Sequence, residues 1–117
     1  LLGADQAIGI DHDPQALEAS RENARENGVD GRLQLMQPDQ LDTCQADLVL
    51  ANILAGPLIS LAPRLAALSK PDAPIALSGI LREQTESVLT AYQPFFSLYP
   101  PIYQDDWVLL TGVRHHD

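Results

Sequence analysis

The chain has 117 residues, 45% of them apolar, and its 7 Lys and Arg stand against 16 Asp and Glu for a net charge of −9. That describes one globular domain at most, large enough to bury a core, and not a chain built to grip phosphate backbones, which needs clustered Lys and Arg. A lone cysteine, Cys44, excludes an internal disulfide and a cysteine-built metal cluster, and no apolar run reaches the length of a membrane span. The acidity is compatible with a basic protein partner and equally with a solvated surface. No signal peptide is visible, so the cytoplasm is the expected compartment. Leu1-Leu2-Gly3-Ala4 reads as the end of a helix that starts upstream.

Residues 6–10 form a short apolar run that predicts a strand, and it ends at Asp11. Asp13 suits the N-cap and Pro14 the first helical position, so residues 14–27 predict a helix, with Gly28 in its left-handed cap. Residues 32–37 predict a second strand, 38–45 an irregular polar stretch, and 47–51 a continuous strand expected to be buried on both faces. A helix with a broad apolar face runs from Gly56 to about Ser69, and Pro63 is expected to kink it or end its first part. Residues 74–80 predict a strand ending in Ser78-Gly79. Residues 81–93 predict a helix with Val88, Leu89 and Tyr92 inward. Residues 95–103 and 107–113 read as a final antiparallel pair. Strand and helix alternate three times before that hairpin, which predicts an α/β fold with a mainly parallel sheet and helices on both sides.

Two residues lie where open α/β sheets bind ligands, just past the carboxyl ends of strands. Asp11 follows the first strand, and a carboxylate there can take the two hydroxyls of a ribose, because it offers two acceptor oxygens to a cis-diol; it can equally cap the helix that follows. Asn52 follows the 47–51 strand, and its amide supplies an acceptor and two donors, although asparagine is also a common turn former. Asp39 could accept from an adenine amino group or be a solvated loop acid, and His12 could pack on an adenine edge or face solvent. His115 and His116 have no spaced partners for a metal, and Trp107 reads as a core or hairpin residue. Gly-x-Gly, the pattern that opens most nucleotide-binding α/β domains, does not occur.

Taken together, Gly9-Ile-Asp-His-Asp-Pro-Gln-Ala-Leu17, Asn23-Ala-Arg-Glu-Asn-Gly28, Ala46-Asp-Leu-Val-Leu-Ala-Asn-Ile-Leu-Ala-Gly-Pro-Leu58 and Leu77-Ser-Gly-Ile-Leu81 closely resemble one family. It is the bacterial S-adenosylmethionine-dependent methyltransferases that modify the eleventh protein of the large ribosomal subunit. The resemblance implies a class I, Rossmann-like methyltransferase sheet and methylation of lysine and N-terminal amino groups on a ribosomal protein. The acidic composition and the absence of a spanning apolar run predict no direct nucleic-acid contact and no membrane. The resemblance also implies that Asp11 binds the ribose of S-adenosylmethionine and that Asn52 lies near the methionine end and the incoming amine, while His12 and Asp39 are the adenine-side candidates from the residues themselves. His12 departs from the usual aliphatic residue, and Asp72-Ala73 from the usual Gly-Gly.

On this resemblance residues 1–117 are expected to be the C-terminal part of a catalytic domain. The glycine-rich motif, the first strand and a substrate-docking domain would then lie upstream. That strand would run between the strand ending at Asp11 and the one ending at Ala51. Its absence would leave two open inner edges, with Asp11 and Asn52 flanking a gap, and a segment that is inactive alone and tends to self-associate. The competing expectations are a fragment of a nicotinamide-dependent oxidoreductase, whose ribose acid has a similar place, and a catalytically inert methyltransferase fragment. Ile53-Leu54 and Ala55 stand where methyltransferases of planar nitrogens carry Pro-Pro and an aromatic, which favours a flexible aliphatic amine.

Overall fold

The computed structural model describes residues 6–11, 13, 15, 16, 18, 19, 22, 26, 33–36 and 45–115. His12, Asp39, Cys44, His116 and the stretch 1–5 lie outside the described residues. The strands are β1 (Ala7–Asp11), β2 (Leu33–Met36), β3 (Leu48–Asn52), β4 (Pro74–Leu81), β5 (Phe96–Leu98), β6 (Ile102–Gln104) and β7 (Trp107–Arg114). Two helices, α1 (Ala55–Leu68) and α2 (Thr85–Tyr92), follow β3 and β4, the second after a 3-10 turn at Arg82–Gln84. Between β1 and β2 the described residues from Gln15 to Glu26 are helical. Gln15 donates its N–H to Asp13 Oδ1 at 2.9 Å, the expected N-cap bond.

The sheet has the order β2-β1-β3-β4-β7-β5, with β6 also paired to β7. The first four strands are parallel, and β5, β6 and β7 are antiparallel to their neighbours. This is the mainly parallel α/β sheet with an antiparallel end that the residue pattern predicts. The expected single strand over 95–103 is instead two, because Pro100 and Pro101 have no N–H to donate. Both pieces pair with the same long β7, β5 at its end and β6 at its start.

The two open inner edges expected beside β1 and β3 do not occur. These strands pair directly, from Ala7↔Leu48 to Asp11↔Asn52. Both are apolar with their backbone groups inside the fold, and direct pairing satisfies donors and acceptors that would otherwise be stranded.

One face of the sheet carries the core. Ala55, Leu58, Ala62, Leu65 and Leu68 of α1 and Val88 and Tyr92 of α2 cluster with Val49, Ala51, Ile75, Leu77, Val108 and Leu110. Strand alternation puts Leu48, Leu50 and Asn52 on the opposite face. Leu50 is 41% exposed, so β3 is buried on one face and not on both. Pro63 does not end α1, which runs unbroken from Ala55 to Leu68. Pro63 and Ile59 lie on its exposed side, where the carbonyl deprived of a donor can be hydrated.

Tyr92 joins the two helices. Its ring is fully buried, packs 5.8 Å from Phe96, and its hydroxyl donates to the Leu58 carbonyl at 2.8 Å. Tyr92→Phe is expected to lower stability by about 1 kcal/mol, the net worth of one such bond, in urea unfolding near neutral pH. Burial pushes the Tyr92 phenol well above its ordinary value of 10.0. The folded state therefore keeps the proton that the unfolded state loses, and stability should fall as pH rises past about 10. In the phenylalanine variant that part of the alkaline slope should be missing.

Candidate functional site

The carboxyl ends of β1, β3 and β4 meet in register. Asp11 is opposite Asn52, and Asn52 is opposite Ser78. Asp11 Oδ1 accepts from the Asp13 N–H at 2.9 Å, which turns the chain from strand into helix. Asp11 Oδ2 accepts from Asn52 Nδ2 at 3.0 Å. Asn52 Oδ1 in turn accepts from the Ser78 hydroxyl at 3.1 Å. Asp11 and Asn52, which the sequence placed at two separate strand ends, therefore share one polar row, and the capping role of Asp11 coexists with a place in it.

Ser78 and Gly79 are site residues that sequence reasoning missed. Gly79 has φ +82, and a Cβ added there would stand 2.8 Å from the Ile53 carbonyl oxygen and 3.0 Å from Asn52 Oδ1. Only glycine meets both conditions, the left-handed backbone and the close approach. The signal available in advance was a Ser-Gly pair interrupting an apolar run, which marks a bulge. The β4–β7 register does shift between Leu77 and Ile80.

Beside this row lies an open cleft of about 750 Å³. Asn52, Leu54, Ser78 and Gly79 form one wall, and the β6–β7 hairpin forms the other through Ile102, Gln104, Asp105, Trp107 and Leu109. Trp107, 53% exposed, is a cleft residue of the hairpin and not a core residue. Leu54 and Ile102 are each 57% exposed, so the cleft is apolar apart from its floor and the hairpin tip. Arg82 ties that tip down. Its Nε and Nη2 donate to the Asp105 carbonyl at 3.2 and 2.8 Å, its N–H to the Asp106 carbonyl at 2.8 Å, and its guanidinium lies 4.3 Å from the Tyr103 ring centre. His115 follows the end of β7 that pairs with the start of β4, so it lies at the opposite sheet edge from Asn52.

The carboxyl edge of a parallel sheet is the ligand edge of open α/β folds, whether methyltransferase or dehydrogenase. The comparison with known sequences separates them. The sequence model of the ribosomal protein L11 methyltransferase (PrmA) family matches residues 1–115. The chain belongs to the ribosomal protein L11 methyltransferase family. The Hahella chejuensis ribosomal protein L11 methyltransferase is 58% identical over 114 residues, which cover 97% of this chain and 39% of that protein. The chain thus spans about two fifths of the length of the L11 methyltransferases it matches. Among solved structures, the ribosomal protein L11 methylase of Lactobacillus delbrueckii subsp. bulgaricus superposes with a TM-score of 0.72 at 28% identity, over 98% of this chain and 61% of its own. An RNA methyltransferase from Salinibacter ruber in complex with S-adenosyl-L-homocysteine shares the fold, with a TM-score of 0.58 at 18% identity over 96% of this chain and 67% of that one. Membership of the L11 methyltransferase family removes the ground for the nicotinamide reading, which rested on the ribose acid alone.

Proposed function

We propose that this chain is the C-terminal part of the catalytic domain of a cytoplasmic, S-adenosylmethionine-dependent methyltransferase that acts on lysine and N-terminal amino groups of ribosomal protein L11. The observation that carries the proposal is the family match over residues 1–115, with Asp11, Asn52 and Ser78 all at the carboxyl edge of the sheet beside a cleft with apolar walls. The chemistry of this donor set fits the cofactor. A carboxylate at the end of β1 suits a ribose diol, the Asn52 amide suits polar groups near the sulfur, and Gly79 keeps side-chain bulk away from Asn52. By position, His12 and Asp39 remain the candidates for the adenine end.

When bound, S-adenosylmethionine supplies a methyl group already activated by the charge on its sulfur. What this chain contributes is then alignment and exclusion of water, which is where most of such a barrier is lowered. The walls Leu54, Ile102, Trp107 and Leu109 match the aliphatic stem of a lysine, and Asn52 Oδ1 can accept an N–H from the incoming amine. The amine must be neutral to attack, and a free lysine has a pKa of about 10.4. Asn52 cannot serve as a base, so the proton is lost to solvent or to a residue outside this chain before transfer.

Mass spectrometry of L11 after incubation with the protein at its natural length and S-adenosylmethionine tests the reading. It expects added methyl groups on lysine side chains and the N-terminal amine. An intact, folded protein that modifies no amine would end it. Asn52→Ala is expected to lower kcat roughly tenfold while changing cofactor affinity far less, because the group orients the reacting ends. Equal losses in both would make Asn52 a cofactor ligand only.

A further inference from the structure

A terminal amide has two broad orientations that differ by exchange of its oxygen and nitrogen, and alignment by Asn52 requires one of them. The Asp11 carboxylate, which only accepts, holds Nδ2 at 3.0 Å and selects the orientation, and two neighbouring residues on β4 hold the oxygen in its place. The Ser78 hydroxyl donates to Asn52 Oδ1 at 3.1 Å, and the alternative acceptor, the Ala51 carbonyl, lies further off at 3.5 Å. Gly79 leaves the space in which Oδ1 sits, since any Cβ there would be 3.0 Å from that oxygen. The regular parallel β3–β4 register sets Asn52 opposite Ser78, and the β4–β7 register shifts between Leu77 and Ile80 on the other edge of β4. The Ser78 and Gly79 contacts lie between β3 and β4, and the Asp11 contact lies on the other edge of β3. Asn52 and Ser78 both line the cleft.

From this geometry we infer that Ser78 is a positioning residue for methyl transfer, acting through Asn52. Its hydroxyl takes one lone pair of Oδ1 and reinforces the orientation that Asp11 sets, with the oxygen on the β4 side, a second lone pair for the amine and the nitrogen toward Asp11. The inference rests on the methyltransferase reading for its effect on rate, but the hold on the amide is a property of this chain alone.

The test uses Ser78→Thr and Ser78→Val, two side chains of nearly one shape of which only the first keeps the hydroxyl, with Ser78→Ala alongside as the variant that adds no bulk. The chain's three asparagines, Asn23, Asn27 and Asn52, allow selective 15N labelling, so the Asn52 side-chain amide can be followed directly. The valine and alanine variants are expected to shift that amide pair and to lower kcat roughly three- to tenfold, with the cofactor dissociation constant within about twofold of the parent. The threonine variant should restore both signals. Identical Asn52 amide signals in the threonine and valine variants would overturn the inference, and so would a shifted amide with unchanged kcat. Failure of the unsubstituted protein to bind S-adenosylmethionine would instead strike the methyltransferase reading, and the amide signals would still show whether Ser78 holds Asn52.

Discussion

Gly79→Ala is expected to lose about 2–4 kcal/mol of stability and to lose turnover in the molecules that remain folded. A left-handed backbone at a residue with a side chain costs roughly 1–2 kcal/mol. The added Cβ also meets the Ile53 carbonyl oxygen at 2.8 Å, a backbone atom that cannot swing aside. Relief requires β4 to move away from β3, which opens the bulge and displaces Asn52. For a domain of this size the melting temperature should fall by roughly 10–20 °C. Gly56→Ala is the matched control. It lies within α1 with nothing within 4 Å of the added Cβ, so alanine there should be neutral or stabilising by up to about 1 kcal/mol. Thermal unfolding of the two variants side by side checks the contrast, and equal melting temperatures would contradict it.

Asp11→Ala is expected to weaken S-adenosylmethionine binding about a hundredfold or more. A ribose diol on a carboxylate makes two charge-assisted hydrogen bonds, each worth roughly 1.5–3 kcal/mol, and water recovers part of the loss. The fold should survive. The bonds lost with the carboxylate include the one from the Asp13 N–H, which is exposed and can be hydrated, and the one from Asn52 Nδ2. Asp11→Asn keeps an acceptor without the charge and should fall between the two. Calorimetric titration decides it, and unchanged affinity in a folded alanine variant would remove the ribose assignment.

The two variants probe opposite kinds of legibility. Asp11 could be read from sequence because everything that marks it is local: an apolar run, an acid, an N-cap and a proline within eight residues. Asn52 was legible in the same way, at the end of 47–51. Ser78 was not, because its meaning lies in strand register, which pairs residues 26 positions apart in the chain. A positive φ at Gly79 likewise follows from the bulge and leaves no trace in composition. Pro63 does not end its helix, because a proline's effect there depends on whether the freed carbonyl reaches water. Of the two readings of Trp107, the hairpin one holds, and its place on the wall of a cleft was not legible because β3, β4 and the β6–β7 hairpin together form that cleft. The β1–β3 pairing shows the same limit. Local pattern identified both strands, but which strands become neighbours is settled by where unsatisfied backbone groups can find partners.

The measurement that bears most directly on the whole account is a crystal structure of the protein at its natural length with S-adenosyl-L-homocysteine bound. The account predicts the ribose hydroxyls on the Asp11 carboxylate, the sulfur beside the Asn52 amide, and the cleft between Asn52 and Trp107 left open for the acceptor amine. A ligand seated at another edge of the sheet, with Asp11 and Asn52 both distant from it, would contradict the account.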